Sequence, residues 1–393
     1  MPLTLTDATT VLPDDGTAGT LVGRAWDPSV GGPSVVVVRA DVVVDLSAGF
    51  ATMRALTELD DPASAVAAAT GPVLGTLAEL VGNSDPDTRD PSRPWLLSPI
   101  DLHVVKAAGV TFPVSMLERI IEERARGDKN AALDIRARIS AALGGELDTL
   151  VPGSPEAMRL KETLLAQGLW SQYIEVGIGP DAEVFTKAPV LATVGTGADV
   201  GVHPASEWNN PEPELVLVVS SRGDVVGATL GNDVNLRDVE GRSALLLGKA
   251  KDNNGSAAVG PFLRLFDETF GIDDVRSAVV ELRVEGEDGF ELTATSPLSA
   301  ISRDPVDLVA QVVGPHHRYP DGFALYLGTL FAPVDDRDAP GRGFTHHEGD
   351  LVRIAEPRLG ALTNRVRPTD RIEPWTFGIA ALFDNLSERG LLS

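Results

Sequence analysis

The chain has 393 residues, 43% of them hydrophobic, so it is long enough for two domains and apolar enough for a large core. It contains no cysteine, which excludes disulfides, thiolate zinc sites and cysteine nucleophiles. Its 57 acidic residues outnumber the 33 basic ones, and the formal net charge of −24 argues against binding to nucleic acid or to an anionic membrane.

The N-terminus, from Met1 to Asp7, has no basic region followed by an apolar run, so no secretory signal is visible. Valine runs near residues 35–38 and 42–44 are interrupted by charged residues, and no stretch is long enough to cross a bilayer. We therefore expect a cytoplasmic protein without a membrane partner.

Short β-branched runs predict three strands near the N-terminus. They begin at Leu21, Ser34 and Val42; Pro28 and Gly31-Gly-Pro33 separate the first two, and Ala40-Asp41 precedes the third. This pattern predicts a small β module.

A polar, proline-rich stretch runs from Asn83 to Pro94 and is the best candidate for a linker. We therefore place the small N-terminal β module at residues 1–95 and a catalytic domain at residues 96–393.

Helical periodicity dominates residues 115–168. Ser115 and Glu118 have the spacing of a capping box at the start of a first helix, and a second helix ends at Gly144. A third helix is predicted to begin near Pro155, a residue suited to the first helical position, and to run to about Gln167.

Short, often alternating strands bounded by glycine or aspartate are predicted from about residue 172 onward. Ser221-Arg-Gly-Asp is predicted to be a hairpin turn between two of them. There is no βαβ rhythm and no Gly-x-Gly-x-x-Gly, which disfavours a dinucleotide-binding fold. The expected fold class is α+β and rich in strands.

Glu212, Glu214 and Asp233 are candidate metal ligands. Residues i and i+2 of a strand point to one face, so Glu212 and Glu214 would project together, and the hairpin would bring Asp233 back beside them. Three carboxylates suit magnesium, manganese or calcium better than zinc. Lys251 follows closely and could move protons or stabilise an enolate.

The same acids could instead belong to an exposed loop, and spacing alone supports both interpretations equally. Asp233 favours the metal site, because it directly follows an apolar strand and a buried acid there needs an explanation. The six histidines form no zinc motif, so we expect surface or packing roles for them. No Gly-x-Ser-x-Gly segment is present, which disfavours a serine hydrolase.

At these residues the chain resembles the fumarylacetoacetate hydrolase family, over a region from about residue 100 to the C-terminus. The segments that carry the resemblance are Glu212-Pro-Glu214-Leu, Gly231-Asn-Asp-Val-Asn-Leu-Arg-Asp238, Ala250-Lys251 through Ser256 to Val259-Gly-Pro261, and Leu327-Gly-Thr329. Their order and spacing are far more specific than an acid pair.

The resemblance implies a mixed β-roll catalytic domain with a helical lid segment, usually a homodimer or higher homo-oligomer, that binds Mg²⁺ or Mn²⁺. It carries metal ligation over to Glu212, Glu214 and Asp233, and the active-site lysine to Lys251. It also implies the following supporting roles: substrate contacts for Ser256 and Thr329, and bracing of the metal loop by Arg237 and Asp238.

One departure from the family concerns its lid. Hydrolases of the family carry Gly-x-Asn-Tyr-x-x-His-x-x-Glu there, whereas this chain has Gly109-Val-Thr-Phe-Pro-Val-Ser115-Met-Leu-Glu118. Serine cannot act as a base toward water at neutral pH without a partner. The chain therefore looks more like the family's dehydratases of 2-keto-3-deoxy sugar acids.

We expect a metal-dependent hydro-lyase acting on 2-keto-3-deoxy aldonic acids, pentonates such as 2-keto-3-deoxyarabinonate, with a 2,5-dioxo acid semialdehyde as product. Lys251 or Glu118 would take the C3 proton from an enolate-forming substrate, and Glu118 or Ser115 would help the C4 hydroxyl leave. One alternative is a carbon–carbon hydrolase or decarboxylase of acylpyruvates or other diketo acids. Another is a non-enzymatic acidic scaffold with a structural metal.

Overall fold

The computed structural model describes residues 3–113, 116, 120, 150–168, 170–330, 336–338 and 343–392. In this part of the chain strands predominate over helices. The strands are β1 (Leu21–Asp27), β2 (Gly32–Arg39), β3 (Val42–Asp45), β4 (Val73–Thr76), β5 (Trp95–Leu97), β6 (Val104–Gly109), β7 (Glu183–Ala188), β8 (Asp199–Val202), β9 (Asn209–Asn210), β10 (Pro213–Val219), β11 (Val225–Asp233), β12 (Asn235–Leu236), β13 (Ala257–Leu265), β14 (Val279–Glu285), β15 (Glu291–Pro297), β16 (Phe323–Tyr326), β17 (Leu351–Glu356) and β18 (Gly360–Pro368). The helices are α1 (Met53–Thr57), α2 (Pro62–Ala68), α3 (Leu77–Gly82), α4 (Pro155–Ala166), α5 (Gln172–Ile178), α6 (Arg237–Glu240), α7 (Leu247–Lys251), α8 (Ile272–Ser277), α9 (Pro305–Val312) and α10 (Ile379–Glu388).

Two mixed sheets form the body of the molecule. The larger has 11 strands in the order β4-β3-β2-β1-β13-β11-β10-β16-β6-β7, with β5 paired to β1, and its one parallel pair is β16 with β6. The smaller sheet has five strands in the order β15-β14-β17-β18-β8. The expected strand-rich α+β fold is confirmed.

The centre of the larger sheet is buried on both faces. All seven residues of β10 are buried. Leu215 and Leu217 pack in a cluster that includes Leu282 of the smaller sheet, whereas Val216 and Val218 pack in a second cluster on the opposite face. Side chains alternate along a strand, so a continuous apolar run such as this one is the pattern of a strand covered on both sides.

The three strands predicted near the N-terminus are β1, β2 and β3. They continue the larger sheet, because β1 pairs with β13 in antiparallel register. A shared cluster joins Leu21 and Val36 to Phe262 of β13. The separate N-terminal module at residues 1–95 stays a prediction.

The proline-rich stretch expected to be a linker is a compact loop. The Asn83 side-chain amide donates hydrogen bonds to the carbonyl oxygens of Asp90 (3.0 Å), Arg93 (2.9 Å) and Pro94 (3.1 Å). One asparagine thus holds the loop closed.

Helix α4 begins where the sequence predicts, at Pro155. The Ser154 hydroxyl caps it by accepting a hydrogen bond from the Ala157 N–H at 3.2 Å. The first two predicted helices of residues 115–145 fall almost entirely outside the described residues. No described helix is both long and apolar enough to cross a membrane.

Candidate metal centre

A hairpin brings the candidate ligands together. Strands β10 and β11 are antiparallel, with Glu214 opposite Gly231, so the start of β10 lies beside the end of β11 at Asp233. The predicted turn at Ser221-Arg-Gly-Asp is confirmed, and Gly223 adopts the left-handed φ of 92° that the turn requires.

Glu212, Glu214 and Asp233 each offer one carboxylate oxygen, and these three oxygens lie within 4.8 Å of one another. All three residues are buried, with 7%, 2% and 1% of their surface exposed. Within the described ranges this is the one group of three or more histidine or acidic side chains arranged to hold a metal ion.

The electrostatics of Glu214 show that the cluster suits a cation. Burial raises the pKa of its carboxyl well above the ordinary value, and the charges of Asp233 and Glu212 raise it further. The Gly328 N–H opposes this by donating a hydrogen bond to Glu214 Oε2 at 2.6 Å. Three buried carboxylates so close together fit a hard divalent cation with oxygen ligands.

Lys251 lies against two of the three carboxylates. It is the last residue of α7, and its ammonium contacts Glu212 Oε2 and, at 3.1 Å, Asp233 Oδ2. Burial alone would lower the pKa of Lys251, but the charges of Asp233 and Glu212 raise it above the ordinary value. The predicted acids and lysine therefore share one site.

Lys187 is a site residue that sequence reasoning missed. It is fully buried on β7, and its Nζ forms an ion pair with Asp233 Oδ1 at 2.7 Å. The same ammonium donates hydrogen bonds to the carbonyl oxygens of Val234 (3.0 Å) and Lys251. Burial lowers the pKa of Lys187, although Asp233 opposes the shift. The available signal was a lysine directly before the apolar run Ala188-Pro-Val-Leu191.

Asn235 is a second neighbour whose role the sequence did not indicate. Its side-chain amide donates to Glu212 Oε1 at 3.0 Å and to Glu240 Oε2 at 2.6 Å. It thereby links a ligand carboxylate to an acid at the edge of the site.

No family model matches the chain. Two relatives match about half of it at 31% identity. One is the probable 2-keto-3-deoxyxylonate dehydratase of Haloferax volcanii, matched over 49% of this chain and 63% of that protein. The other is the 2-dehydro-3-deoxy-D-arabinonate dehydratase of Saccharolobus solfataricus, matched over 48% of this chain and 60% of that protein. The match therefore spans less than two thirds of either relative.

Solved structures share the fold over most of the chain. A 2-keto-3-deoxy-D-arabinonate dehydratase complexed with magnesium and 2,5-dioxopentanoate superposes with a TM-score of 0.61 at 20% identity, over 89% of this chain and 99% of that one. The fumarylacetoacetate hydrolase of Exiguobacterium antarcticum superposes with a TM-score of 0.51 at 16% identity, over the same shares. The fold expected from the resemblance to the fumarylacetoacetate hydrolase family is confirmed.

Arg237 and Asp238, which the family resemblance links to the metal loop, join α6 to the segment before Glu212. The Arg237 guanidinium stacks on the Trp208 ring at 4.3 Å. The Asp238 carboxylate accepts hydrogen bonds from the Ser206 hydroxyl (2.7 Å) and the Glu207 N–H (2.9 Å). Their bracing role stays a prediction, and these contacts support it.

The two residues that the family resemblance links to substrate lie in different settings. The buried Ser256 hydroxyl donates to the Lys251 carbonyl oxygen at 2.8 Å and accepts from the Asn253 N–H at 3.0 Å, so it is engaged with the main chain. Thr329 directly follows Gly328, whose N–H binds Glu214. Substrate contact by Ser256 and Thr329 stays a prediction.

Ser115 and Glu118, the expected catalytic residues of the family's lid, lie outside the described residues. Two histidines that the structure describes are buried and paired: His103 contacts the Thr57 hydroxyl at 2.9 Å, and His346 contacts Asp350 at 3.2 Å. Both contacts agree with packing roles.

Proposed function

We propose that this protein is a divalent-metal-dependent dehydratase of 2-keto-3-deoxy aldonic acids, pentonates among them, that produces 2,5-dioxo acids. The observation that carries the proposal is the buried triad of Glu212, Glu214 and Asp233 with the Lys251 ammonium against two of its members. The names of the two relatives, both dehydratases of such acids, support it.

Glu212, Glu214 and Asp233 would hold Mg²⁺ or Mn²⁺, because three carboxylate oxygens match the preference of these hard ions. When bound, such an ion stabilises the negative charge that grows on the 2-keto oxygen as C3 loses a proton. The similar dehydratase structure was solved with magnesium, which supports the choice of ion.

Lys251 would act on the proton at C3. Its Nζ contacts Glu212 and Asp233, so a substrate at the triad would lie beside this group. A cation held by the same carboxylates would offset the charges that raise the pKa of Lys251 and so let the amine accept a proton. Loss of the C3 proton and the C4 hydroxyl releases one water, and tautomerisation then gives the 2,5-dioxo acid. The base would be Glu118 or Lys251. Glu118 or Ser115 would help the C4 hydroxyl to leave.

A two-substrate assay tests this function. Chelator-stripped protein is supplied with Mg²⁺ and either a 2-keto-3-deoxypentonate or an acylpyruvate. We expect the dioxo acid from the pentonate, no pyruvate from the acylpyruvate, and loss of turnover when EDTA is added.

We expect the double variant Glu212→Gln with Asp233→Asn to abolish turnover. The control is Asp60→Asn, which should leave turnover unchanged because Asp60 is fully exposed. Full activity of the double variant would refute the metal role. Pyruvate from the acylpyruvate without dioxo acid from the pentonate would favour the carbon–carbon hydrolase instead.

We also propose that the protein is cytoplasmic and assembles as a homodimer or higher homo-oligomer, which the family resemblance supports. Sedimentation velocity of the full chain measures the oligomeric state, and a monomer at micromolar concentration would contradict the expected assembly.

A further inference from the structure

Asn235 is built into the metal centre through its two amide donors. It is fully buried, and its Nδ2 donates to Glu212 Oε1 at 3.0 Å and to Glu240 Oε2 at 2.6 Å. Because both acceptors are carboxylates, these are charge-assisted hydrogen bonds, which are stronger and more directional than neutral ones.

The short ladder of β9 and β12 places Asn235 beside its target. Asn235 lies opposite Asn210 in antiparallel register, and Asn210 precedes Glu212 by two residues. Strand β12 begins two residues after Asp233, and β9 ends two residues before Glu212, so the ladder joins the segments beside two of the three candidate ligands. The position of Asn235 is therefore set by backbone pairing and not by side-chain packing alone.

The two ends of the Asn235 side-chain amide differ in their hydrogen bonding, and the acceptor end is its side-chain oxygen, Oδ1. This atom is buried and has no hydrogen-bond partner within the described part of the chain. Buried polar side chains that serve only packing normally have both ends satisfied. Both donor hydrogens of Asn235 go to carboxylates, so its donor end is the one engaged with the acids.

Each candidate ligand is anchored through one oxygen by a different donor. The Gly328 N–H binds Glu214 Oε2, the Lys187 ammonium pairs with Asp233 Oδ1, and the Asn235 amide binds Glu212 Oε1. One oxygen of each carboxylate lies within 4.8 Å of those of the other two, and the Lys251 ammonium contacts Glu212 Oε2 and Asp233 Oδ2. Such anchoring favours ligation through a single oxygen of each residue.

We propose that Asn235 is a positioning residue that holds Glu212 for one-oxygen ligation and so favours a small octahedral cation over calcium. Mg²⁺ demands near-ideal octahedral geometry, whereas Ca²⁺ accepts more ligands, including carboxylates that bind through both oxygens. The inference rests on the proposed metal-dependent function and adds the selectivity of the site.

Isothermal titration of the chelator-stripped full chain with Mg²⁺ and with Ca²⁺ tests it. Asn235→Ala should weaken Mg²⁺ binding on the order of 10- to 100-fold, as is typical when a hydrogen-bond partner of a metal ligand is removed. Binding of Ca²⁺ should weaken less, because a released Glu212 can ligate through both oxygens, so the preference for Mg²⁺ shrinks.

Asn364→Ala is the matched control. Asn364 is equally buried, and its amide donates to two main-chain carbonyl oxygens, of Gly195 (2.8 Å) and Ala198 (3.0 Å). It should leave both affinities unchanged. Should Asn235→Ala not unfold cooperatively, Asn235→Leu fills the space without the donor and takes its place.

Unchanged Mg²⁺ affinity in the Asn235 variants, or equal weakening for both ions, would overturn the proposal. If the parent protein binds neither ion, the proposed metal-dependent function fails as well. If the parent protein binds Mg²⁺ and the Asn235 variants bind it equally well, only the proposed role of Asn235 is overturned.

Discussion

Buried charges in the metal centre are paired with opposite charges. Asp233 is almost completely buried, and its two oxygens face two different lysines, Lys187 at 2.7 Å and Lys251 at 3.1 Å. Taking charges out of water is costly unless each has a partner, and removing one member of a buried pair leaves the other uncompensated. Lys187 also donates to the carbonyl oxygens of Val234 and Lys251. The Lys251 oxygen keeps its bond from the Ser256 hydroxyl, so loss of Lys187 would remove the cationic partner of Asp233 Oδ1 and the bond to Val234.

Lys187→Met should therefore lower the free energy of unfolding by about 3–5 kcal/mol, the usual cost of breaking a buried ion pair from one side. Urea unfolding measures the change. The control is Lys106→Met on the neighbouring strand β6, where the lysine bonds the Thr186 hydroxyl at 2.9 Å in an exposed contact. That variant should change stability by no more than about 0.5 kcal/mol, and an equally small effect of Lys187→Met would contradict the compensating role.

At the level of elements, the turn after β16 supports the site from the neighbouring strand. Gly328 has a left-handed φ of 89°, and its N–H donates to Glu214 Oε2 at 2.6 Å. A Cβ atom there would lie 2.1 Å from Thr111 Oγ1 and 2.9 Å from the Ala108 carbonyl oxygen. The turn thus needs glycine both for its backbone conformation and for the close approach.

Gly328→Ala should destabilise the protein by about 2–4 kcal/mol, since it adds backbone strain to a steric clash. It should also weaken Mg²⁺ binding, because the displaced N–H no longer orients Glu214. Thermal unfolding and titration calorimetry measure the two effects. Gly314→Ala, at an ordinary φ with no atom within 4 Å of the added Cβ, should show neither; equal behaviour of the two variants would argue against this view of the turn.

Across the whole molecule, one sheet joins the N-terminal strands to the strands that carry the site. β1 lies between β2 and β13, and β13 pairs in turn with β11, the strand that ends at Asp233. One hydrophobic cluster contains Val22 and Val37 together with Val216 and Val259. Removing the first strands would uncover an edge of the sheet and part of its core.

The full chain should therefore unfold in a single calorimetric transition, and a fragment of residues 96–393 should fail to fold on its own. Differential scanning calorimetry and circular dichroism check both expectations. Two separate transitions, or a folded fragment, would instead show that the predicted module at residues 1–95 is an independent domain.

Much of the fold and of the ligand set could be predicted from sequence because the underlying rules are local. Side chains two apart on a strand share a face, and a short turn returns the chain beside itself, which is enough to bring Asp233 back to Glu214. The family resemblance added Lys251, and the structure brings it to the same carboxylates. Ser115 and Glu118 stay predictions.

The anchors of the ligands were decided only by tertiary structure. Lys187 comes from β7, Gly328 from the turn after β16, and Asn235 meets Glu212 through its pairing with β9. These partners are 46, 114 and 23 positions from the acids that they hold. The sequence alone indicated which acids could bind a cation. Which donors orient the oxygens of those acids depended on the sheet order, because strands distant along the chain become neighbours only when the sheet forms.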